Sequence, residues 1–251
     1  MSENKRKVLV VLPAYNEEEN IGELLDQIQF ALEEDSKTDY KVFVVNDGSR
    51  DNTAAIVEEK AKTMPIDLFT HPVNLGLGAT IRDGLYRAVQ ASNPKDIVIT
   101  MDADATHNPG LILRLFRMIV EGHDVVIASR FQPGARVIGL AWYRKLLSYT
   151  ASIIFRITYP IKGVKDYTCG YRAFRADVLQ SAMNEYGDKF VDQDGFQCLV
   201  DILLKLRRRK LLFGETPFIL RYDQKGGMSK MNVGRTIKNT LILIVKRFFV
   251  K

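Results

Sequence analysis

The sequence predicts an α/β fold with a mostly parallel central sheet, helices on both faces and amphipathic helices towards the C-terminus. Three observations carry this expectation. Between Lys7 and Phe131, apolar β-branched runs alternate with segments of helical period, the pattern of parallel strands joined by crossover helices. Three of these runs end in polar residues: Pro13-Ala14-Tyr15-Asn16-Glu17, Asn46-Asp47-Gly48-Ser49 and Asp102-Ala103-Asp104. In an open parallel sheet, ligands bind at the carboxyl ends of strands, so the chemistry should gather there. Two later stretches, 137–161 and 232–250, set large apolar side chains against Arg and Lys at helical spacing.

Taken in order, the strand candidates are Val8 to Leu12, Val42 to Val45, Ile97 to Met101 and Val125 to Ala128, short apolar runs without Pro or Gly. Asn20 to Leu32 reads as a helix, with Ile21, Leu24, Leu25, Ile28 and Leu32 on one side to face the core. Gly76-Leu77-Gly78 lacks the lysine and spacing of a phosphate loop, so these glycines should serve a tight entry into the next helix. From Val137 to Ile161 aromatic and basic residues interleave along a helical pattern. The final candidate, Asn232 to Val250, sets Val233, Ile237, Leu241, Ile244, Val245 and Phe248 against Arg235, Lys238, Lys246 and Arg247. With no repeat or linker in view, residues 1–231 are expected to form one domain, with only a soft boundary near Gln132 between about 1–131 and about 132–231, and a C-terminal amphipathic helix follows over 232–251.

Composition narrows the function. At 251 residues and 46% hydrophobic content the chain can bury one large core. Cys169 and Cys198 form neither a disulfide framework nor a zinc pattern, which fits a reducing compartment. The polar N-terminus runs straight into the first strand without the apolar core of a signal peptide. No stretch approaches the roughly 18 to 20 apolar residues of a membrane span; Arg144, Lys145 and Arg156 interrupt the best candidate. The net charge of +6 is concentrated from Arg130 onward, beside bulky apolar residues. That pairing suits an anionic lipid surface better than nucleic acid, for which no recognisable module is present.

Alternate carboxylates at the end of a buried strand can hold a hard divalent ion, and Asp102 and Asp104 follow Ile97 to Met101 in this way. Such an ion neutralises a diphosphate and stabilises it as a leaving group. The competing reading is a cap before Asn108-Pro109, which explains one acidic residue better than two. Asp47 is likewise either a turn residue or, together with Glu17, an acceptor for the ring N–H groups of a base and the hydroxyls of a ribose. Arg144 and Ser148, at i and i+4, share a helix face where guanidinium and hydroxyl can grip a phosphate. Arg144 can equally snorkel at the surface. Arg207-Arg208-Arg209-Lys210 is read as a solvated helix end.

Pro13-Ala14-Tyr15-Asn16-Glu17, Asn46-Asp47-Gly48-Ser49-Arg50-Asp51, Asn74-Leu75-Gly76, Met101-Asp102-Ala103-Asp104 and Ser129-Arg130-Phe131 occur in this order. Together they resemble family 2 glycosyltransferases of GT-A fold, and within them the dolichol-phosphate (polyprenyl-phosphate) mannose and glucose synthases, over nearly the full length. The resemblance implies that Pro13, Tyr15, Glu17 and Asp47 line the nucleotide pocket, and that Asp102 and Asp104 bind Mg²⁺ or Mn²⁺ with the donor diphosphate. It further implies that Arg130, Arg144 and Ser148 contact phosphates. Asp166 to Arg172 looks like the family's Asp-x-x-x-Gly-[Phe/Tyr]-Arg segment, and Arg221 with Ser229-Lys230 resembles its last basic loop, so Arg221 and Lys230 join the donor-binding set and Arg221 the catalytic one. Two positions depart from the pattern. Thr106 stands where those synthases often carry Gln or Ser, and Asp201 where a glutamate is common near Phe196-Gln197-Cys198-Leu199.

A lipid monophosphate is already anionic near neutral pH and needs no general base, whereas a hydroxyl acceptor does. What it needs is relief from repulsion by the donor diphosphate, which a metal with Arg130, Arg144 and Arg221 can supply. The expectation is therefore inverting transfer of a hexose from GDP-mannose or UDP-glucose to dolichyl or polyprenyl phosphate. The enzyme would sit in the cytoplasm, peripheral on the cytosolic membrane face, held by its own amphipathic helices or by a membrane-embedded subunit. The rivals are a soluble family member acting on a hydroxyl, with Asp192 or Asp194 as base, and a non-catalytic nucleotide-sugar sensor or membrane scaffold.

Overall fold

The computed structural model describes residues 6–33, 38–225 and 233–249. From the N-terminus, β1 (Lys7–Ala14), α1 (Ile21–Glu33), β2 (Asp39–Asn46), α2 (Thr53–Lys60), β3 (Ile66–Thr70), α3 (Leu77–Gln90) and β4 (Ile97–Thr100) alternate regularly. There follow α4 (Ile112–Val120), β5 (Val125–Ser129), β6 (Arg136–Ile138) and α5 (Trp142–Thr158). The remainder comprises β7 (Arg172–Arg175), α6 (Ala176–Tyr186), α7 (Gln197–Leu206), β8 (Phe213–Pro217), β9 (Ile219–Arg221) and α8 (Val233–Phe249).

Seven strands form one sheet in the order β3-β2-β1-β4-β7-β5-β8. All neighbours run parallel except β7, which is antiparallel to both β4 and β5. Val8 to Leu12, Val42 to Val45, Ile97 to Ile99 and Val125 to Ala128 are buried, as strands covered by helices on both faces must be. All four apolar runs read in the sequence are therefore central strands. β3 escaped that reading because it is the sheet edge: its residues are only partly buried and carry no continuous apolar signal. β7 escaped because Arg172-Ala173-Phe174-Arg175 shows neither a run nor an alternation. By entering between β4 and β5, β7 makes residues on both sides of Gln132 share one sheet.

The stretch 137–161 divides differently from expectation. Arg136–Ile138 pairs in parallel with Ile219–Arg221 as a separate two-stranded ribbon, and the helix begins only at Trp142. Gly139 explains the break. Its φ is +77°, and a Cβ there would lie 2.5 Å from the backbone nitrogen of Asp223, so only glycine lets the two segments touch. α5 buries Ser152 and Phe155 and leaves most of its other large side chains outward. α8 docks through buried Leu243, through its Ile244 carbonyl, which accepts from the Tyr159 hydroxyl at 2.6 Å, and through Arg247. Arg247 meets the buried Asp201 of α7 with Nε–Oδ1 2.6 Å and Nη2–Oδ2 2.8 Å. Among the described residues no helix is long and apolar enough to cross a membrane.

Candidate active site

Because β1, β2, β4 and β5 are parallel, Tyr15-Glu17, Asp47, Asp102-Asp104 and Arg130 all emerge at one sheet end. Antiparallel β7 starts at that same end, where Arg172 pairs with Thr100 and Ile127. It therefore delivers residues 166–171 into the cluster, and the Thr100 hydroxyl donates to the Gly170 carbonyl at 2.7 Å.

Asp102 and Asp104 stand on a turn in which Ala105 has φ +59°, a left-handed conformation that costs a non-glycine residue about 1–2 kcal/mol. Asp104 Oδ1 accepts from the Thr106 backbone N–H at 3.2 Å and from its hydroxyl at 2.6 Å. Its other oxygen, Oδ2, receives the Lys225 ammonium at 2.5 Å. The cap before Pro109 is supplied by Asn108, whose Oδ1 accepts from the Gly110 N–H. Asp104 thus shapes its own turn but is not the helix cap. The Asp102 backbone N–H donates to His107 Nδ1 at 3.1 Å, which leaves the ring proton on Nε2, 3.7 Å from Asp102 Oδ2. Buried His107 is held against Tyr171, with ring centroids 5.0 Å apart. Burial pushes the Asp102 carboxyl above its usual range, with Asp104's charge adding and His107 opposing. For Asp104 burial acts in the same sense but is outweighed by Lys225 and Thr106, which hold it low.

This donor set fits a hard divalent cation. A desolvated carboxylate and a second one already carrying an ammonium as stand-in are hard oxygen donors of the kind Mg²⁺ or Mn²⁺ take, and these ions complete their shell with water and substrate phosphates. Among the described residues no group of three His, Cys, Asp or Glu that could hold a metal ion is present.

Arg130, just after β5, is fixed from several sides. Its Nε and Nη2 lie 2.8 and 2.6 Å from the two oxygens of buried Asp166, its Nη2 also reaches Thr168 Oγ1, and its backbone N–H donates to Asp166 Oδ2 at 3.0 Å. Burial works against the guanidinium's charge, but Asp166 outweighs it and keeps Arg130 protonated. Beside it opens a cavity of about 300 Å³ that Asp102, Asp104, Arg130, Arg144 and Ser148 all line. The same cavity is lined by apolar side chains of α5 and α8, among them Leu147, Ile154, Leu241 and Ile244. Among the described residues, the buried Ser148 hydroxyl and the Oε1 of Gln197, both on the wall, have no hydrogen-bond partner.

At and just after the end of β1, Pro13 and Tyr15 are half-buried and Glu17 is buried. Glu17 Oε2 accepts from Asn20 Nδ2 at 2.8 Å. Asp47 is buried and largely engaged: Oδ1 accepts from the Leu75 N–H at 2.8 Å and faces His71 Nδ1 at 2.7 Å, and Oδ2 accepts from the Gly76 N–H at 2.9 Å. It fastens the 71–76 loop, so any contact with a base must share these oxygens. Gly76 enters α3 with φ +90°, and a Cβ on Gly78 would sit 1.8 Å from the Gln193 carbonyl oxygen, so that glycine also admits a close approach of the 193–194 backbone.

Arg221 and Asp192 are engaged outside the cluster. Arg221 turns to Asp223, Nε–Oδ1 2.9 Å, half-exposed and off the cavity wall, and touches the acidic turn only through its backbone N–H to the Thr106 carbonyl at 3.1 Å. Lys230, with Ser229, lies outside the described residues. Asp192 is bound to Lys205 at 3.0 Å; burial raises its carboxyl, but Lys205 and Gln193 hold it well below the usual range, which disarms it as a base. Asp201 is buried between Lys205 and Arg247. Lys225, His107, Asp166 and Gln197 are the site residues that sequence reasoning missed or left without a role.

The sequence profile described as Glycosyl transferase family 2 matches residues 9–182. The chain belongs to glycosyl transferase family 2. This family 2 chain is 33% identical over 232 residues to the dolichol-phosphate mannosyltransferase of Pyrococcus furiosus, covering 92% of itself but only 60% of that longer protein. It is 29% identical to the polyprenol monophosphomannose synthase of Mycolicibacterium smegmatis, over 96% of itself and 86% of the relative. Among solved structures it resembles glucosyl-3-phosphoglycerate synthase from Mycobacterium tuberculosis, held there with Mn²⁺, UDP and phosphoglyceric acid. The TM-score is 0.66 at 20% identity, covering 95% of this chain and 78% of the other. That likeness is one of fold, and the α/β architecture of this family 2 glycosyltransferase is of the GT-A kind.

Proposed function

We propose that this glycosyltransferase moves a hexose, with inversion, from GDP-mannose or UDP-glucose to dolichyl or another polyprenyl phosphate at the cytosolic membrane face. The observation that carries the reading is the cavity's mixed lining. Arg130, Arg144 and Ser148 share it with apolar side chains of α5 and α8, a combination that suits an anionic head on a long apolar tail. The names of the Pyrococcus and Mycolicibacterium relatives point the same way.

In this reading residues 1–131 supply the donor side and 132–231 the acceptor side. Pro13, Tyr15, Glu17 and Asp47 border the nucleotide, with Arg221 and Lys230 as further donor contacts. Arg130, held rigid by Asp166, and Arg144 with Ser148 align the acceptor phosphate, whose oxygen attacks the anomeric carbon as the bond to the nucleoside diphosphate breaks. Positioned cations offset the repulsion between two anions in a water-poor cleft. Asp102 and Asp104 would hold Mg²⁺ or Mn²⁺, which supplies Lewis-acid neutralisation of the departing diphosphate. No base is needed, and the tie between Asp192 and Lys205 argues against Asp192 as the base of the hydroxyl-acceptor alternative. Exposed Trp142, Leu146 and Ile157 on α5 and Ile242 on α8 suit peripheral attachment, with a membrane-embedded subunit as the other means of holding the chain there.

The test offers a panel of nucleotide sugars with a short polyprenyl phosphate and Mg²⁺ or Mn²⁺, following product by mass. A glycosylated lipid phosphate from one donor supports the reading. Donor turnover only with hydroxyl acceptors sinks it.

A further inference from the structure

We propose that Lys225 is the resident counter-cation of the acidic pair: its ammonium neutralises Asp104 until a divalent ion arrives, and then passes to the donor's diphosphate. The inference rests on the metal-assisted reading above and adds a residue that this reading does not contain.

The argument starts from which oxygens are available. Asp104 Oδ1 is committed to Thr106, so Oδ2 is the atom an incoming ion would take, and the Lys225 ammonium sits on it. Both side chains are largely buried, 12% exposed for Lys225 and 13% for Asp104. A carboxylate held this far from water needs a cation in every state of the site. An ammonium and a divalent ion cannot share one oxygen without repelling each other, so binding of the ion expels the lysine.

The destination of the displaced charge follows from its neighbours. The ammonium sits on Asp104, which with Asp102 lines the cavity, so the displaced charge is released where the reading above places the donor's diphosphate. A diphosphate arriving with the ion brings the negative charge that the lysine has just lost. Arg130 cannot make this move, because Asp166 and Thr168 pin its guanidinium, and Arg221 is tied to Asp223. Lysine is a compact charge on a flexible stem, and the stem of Lys225 leaves its ammonium 5.6 Å from the centre of the Tyr222 ring.

The proposal makes an unusual demand: one residue must oppose binding of the metal and favour binding of the nucleotide. Titration calorimetry of the full chain with Mn²⁺ alone, then with GDP or UDP at saturating Mn²⁺, reads the two effects separately. Lys225→Met is expected to bind Mn²⁺ alone more tightly than wild type, and to bind the nucleoside diphosphate more weakly by about ten- to a hundredfold, the usual effect of losing one charged hydrogen bond. Lys225→Arg keeps the charge and should lie between the two. A purely structural role would shift both affinities in the same direction, and that result overturns the proposal. So does Mn²⁺ binding that neither variant tightens. If wild type binds nucleotide but never Mn²⁺, the metal-assisted reading falls with it, whereas tight Mn²⁺ binding unaffected by either substitution removes the lysine hand-over alone. Thermal melts of both variants separate misfolding from these outcomes, and Lys225→Arg tests the same signs should Lys225→Met not fold.

Discussion

Arg130 and Asp166 form a paired contact at the base of the cavity, Nε to Oδ2 at 2.8 Å and Nη2 to Oδ1 at 2.6 Å. Asp166 is fully buried. Burial raises its carboxyl, but Arg130 and the backbone donors around it outweigh burial and hold it below the ordinary value. A carboxyl whose folded pKa lies below its unfolded value, about 3.9, stabilises the fold above that value and loses the contribution as pH falls through the folded pKa. Asp166→Asn is therefore expected to lower the urea midpoint clearly at pH 7, with a gap to wild type that narrows steadily below pH 4. Removing one partner of a buried pair costs about 3–5 kcal/mol. A gap that stays constant from pH 7 down to pH 3 would show that the charge of Asp166 is irrelevant.

Asp104→Asn should abolish transfer, with Asp102→Asn nearly as damaging, while both proteins keep a cooperative melt. A loss of at least about a hundredfold in kcat is expected, in line with removal of a group that stabilises developing charge. Chelator-treated wild type should be equally inactive and recover with Mg²⁺ or Mn²⁺. Near wild-type turnover by Asp104→Asn under limiting metal is the result that removes the metal-centred scheme.

Arg144→Ala should act on the acceptor. The expected outcome is a rise of about ten- to a hundredfold in KM for the lipid phosphate, the usual cost of one charged hydrogen bond, with nucleotide-sugar affinity unchanged by calorimetry. Equal loss of donor binding would move Arg144 to the donor site.

What could be read from the sequence was local. Four central strands announced themselves because strands buried on both faces are continuous apolar runs, and Asp102 and Asp104 stood out because they follow one of them. The contacts that complete the site join residues far apart in the chain. Lys225 meets Asp104 only because β9 ends beside the acidic turn, where the Arg221 N–H donates to the Thr106 carbonyl. Asp166 reaches Arg130 only because β7 runs antiparallel, a direction that Arg172-Ala173-Phe174-Arg175 does not signal. Arg221 shows a contact that the motif does not announce: Asp223, two positions away, takes its guanidinium. Asp201, which departs from the family's glutamate, ties α7 to Arg247 of α8.

Attachment to a membrane is the property most exposed to a direct test. On α5, Trp142 is 76% and Leu146 55% exposed, and on α8 Ile242 is 53% exposed near the exposed Lys238 and Lys246. Large apolar side chains beside lysines are what a helix lying in a bilayer interface presents, and both helices border the cavity. Docking by these faces would bring the cavity that both helices line to the lipid. Simple covering of the core does not account for these side chains, because the buried positions of the two helices are others, Phe155 on α5 and Leu243 on α8. Sedimentation with vesicles rich in anionic lipid should therefore pull down the protein at low salt and less at high salt, since mobile ions screen exposed charges beyond about 8–10 Å. Neutral vesicles should retain it weakly. Trp142→Glu with Leu146→Glu, and separately Ile242→Glu, place a charge where apolar surface meets lipid and should each reduce binding while leaving the melt unchanged, because those side chains already face outward. If the α5 double variant binds as the parent does, α5 is not an anchor, and the same result for Ile242→Glu clears α8. Absence of vesicle binding by the wild type itself would transfer the anchoring role to a membrane-embedded partner, because the proposed acceptor carries its phosphate at the bilayer surface and the enzyme must be held there by some means.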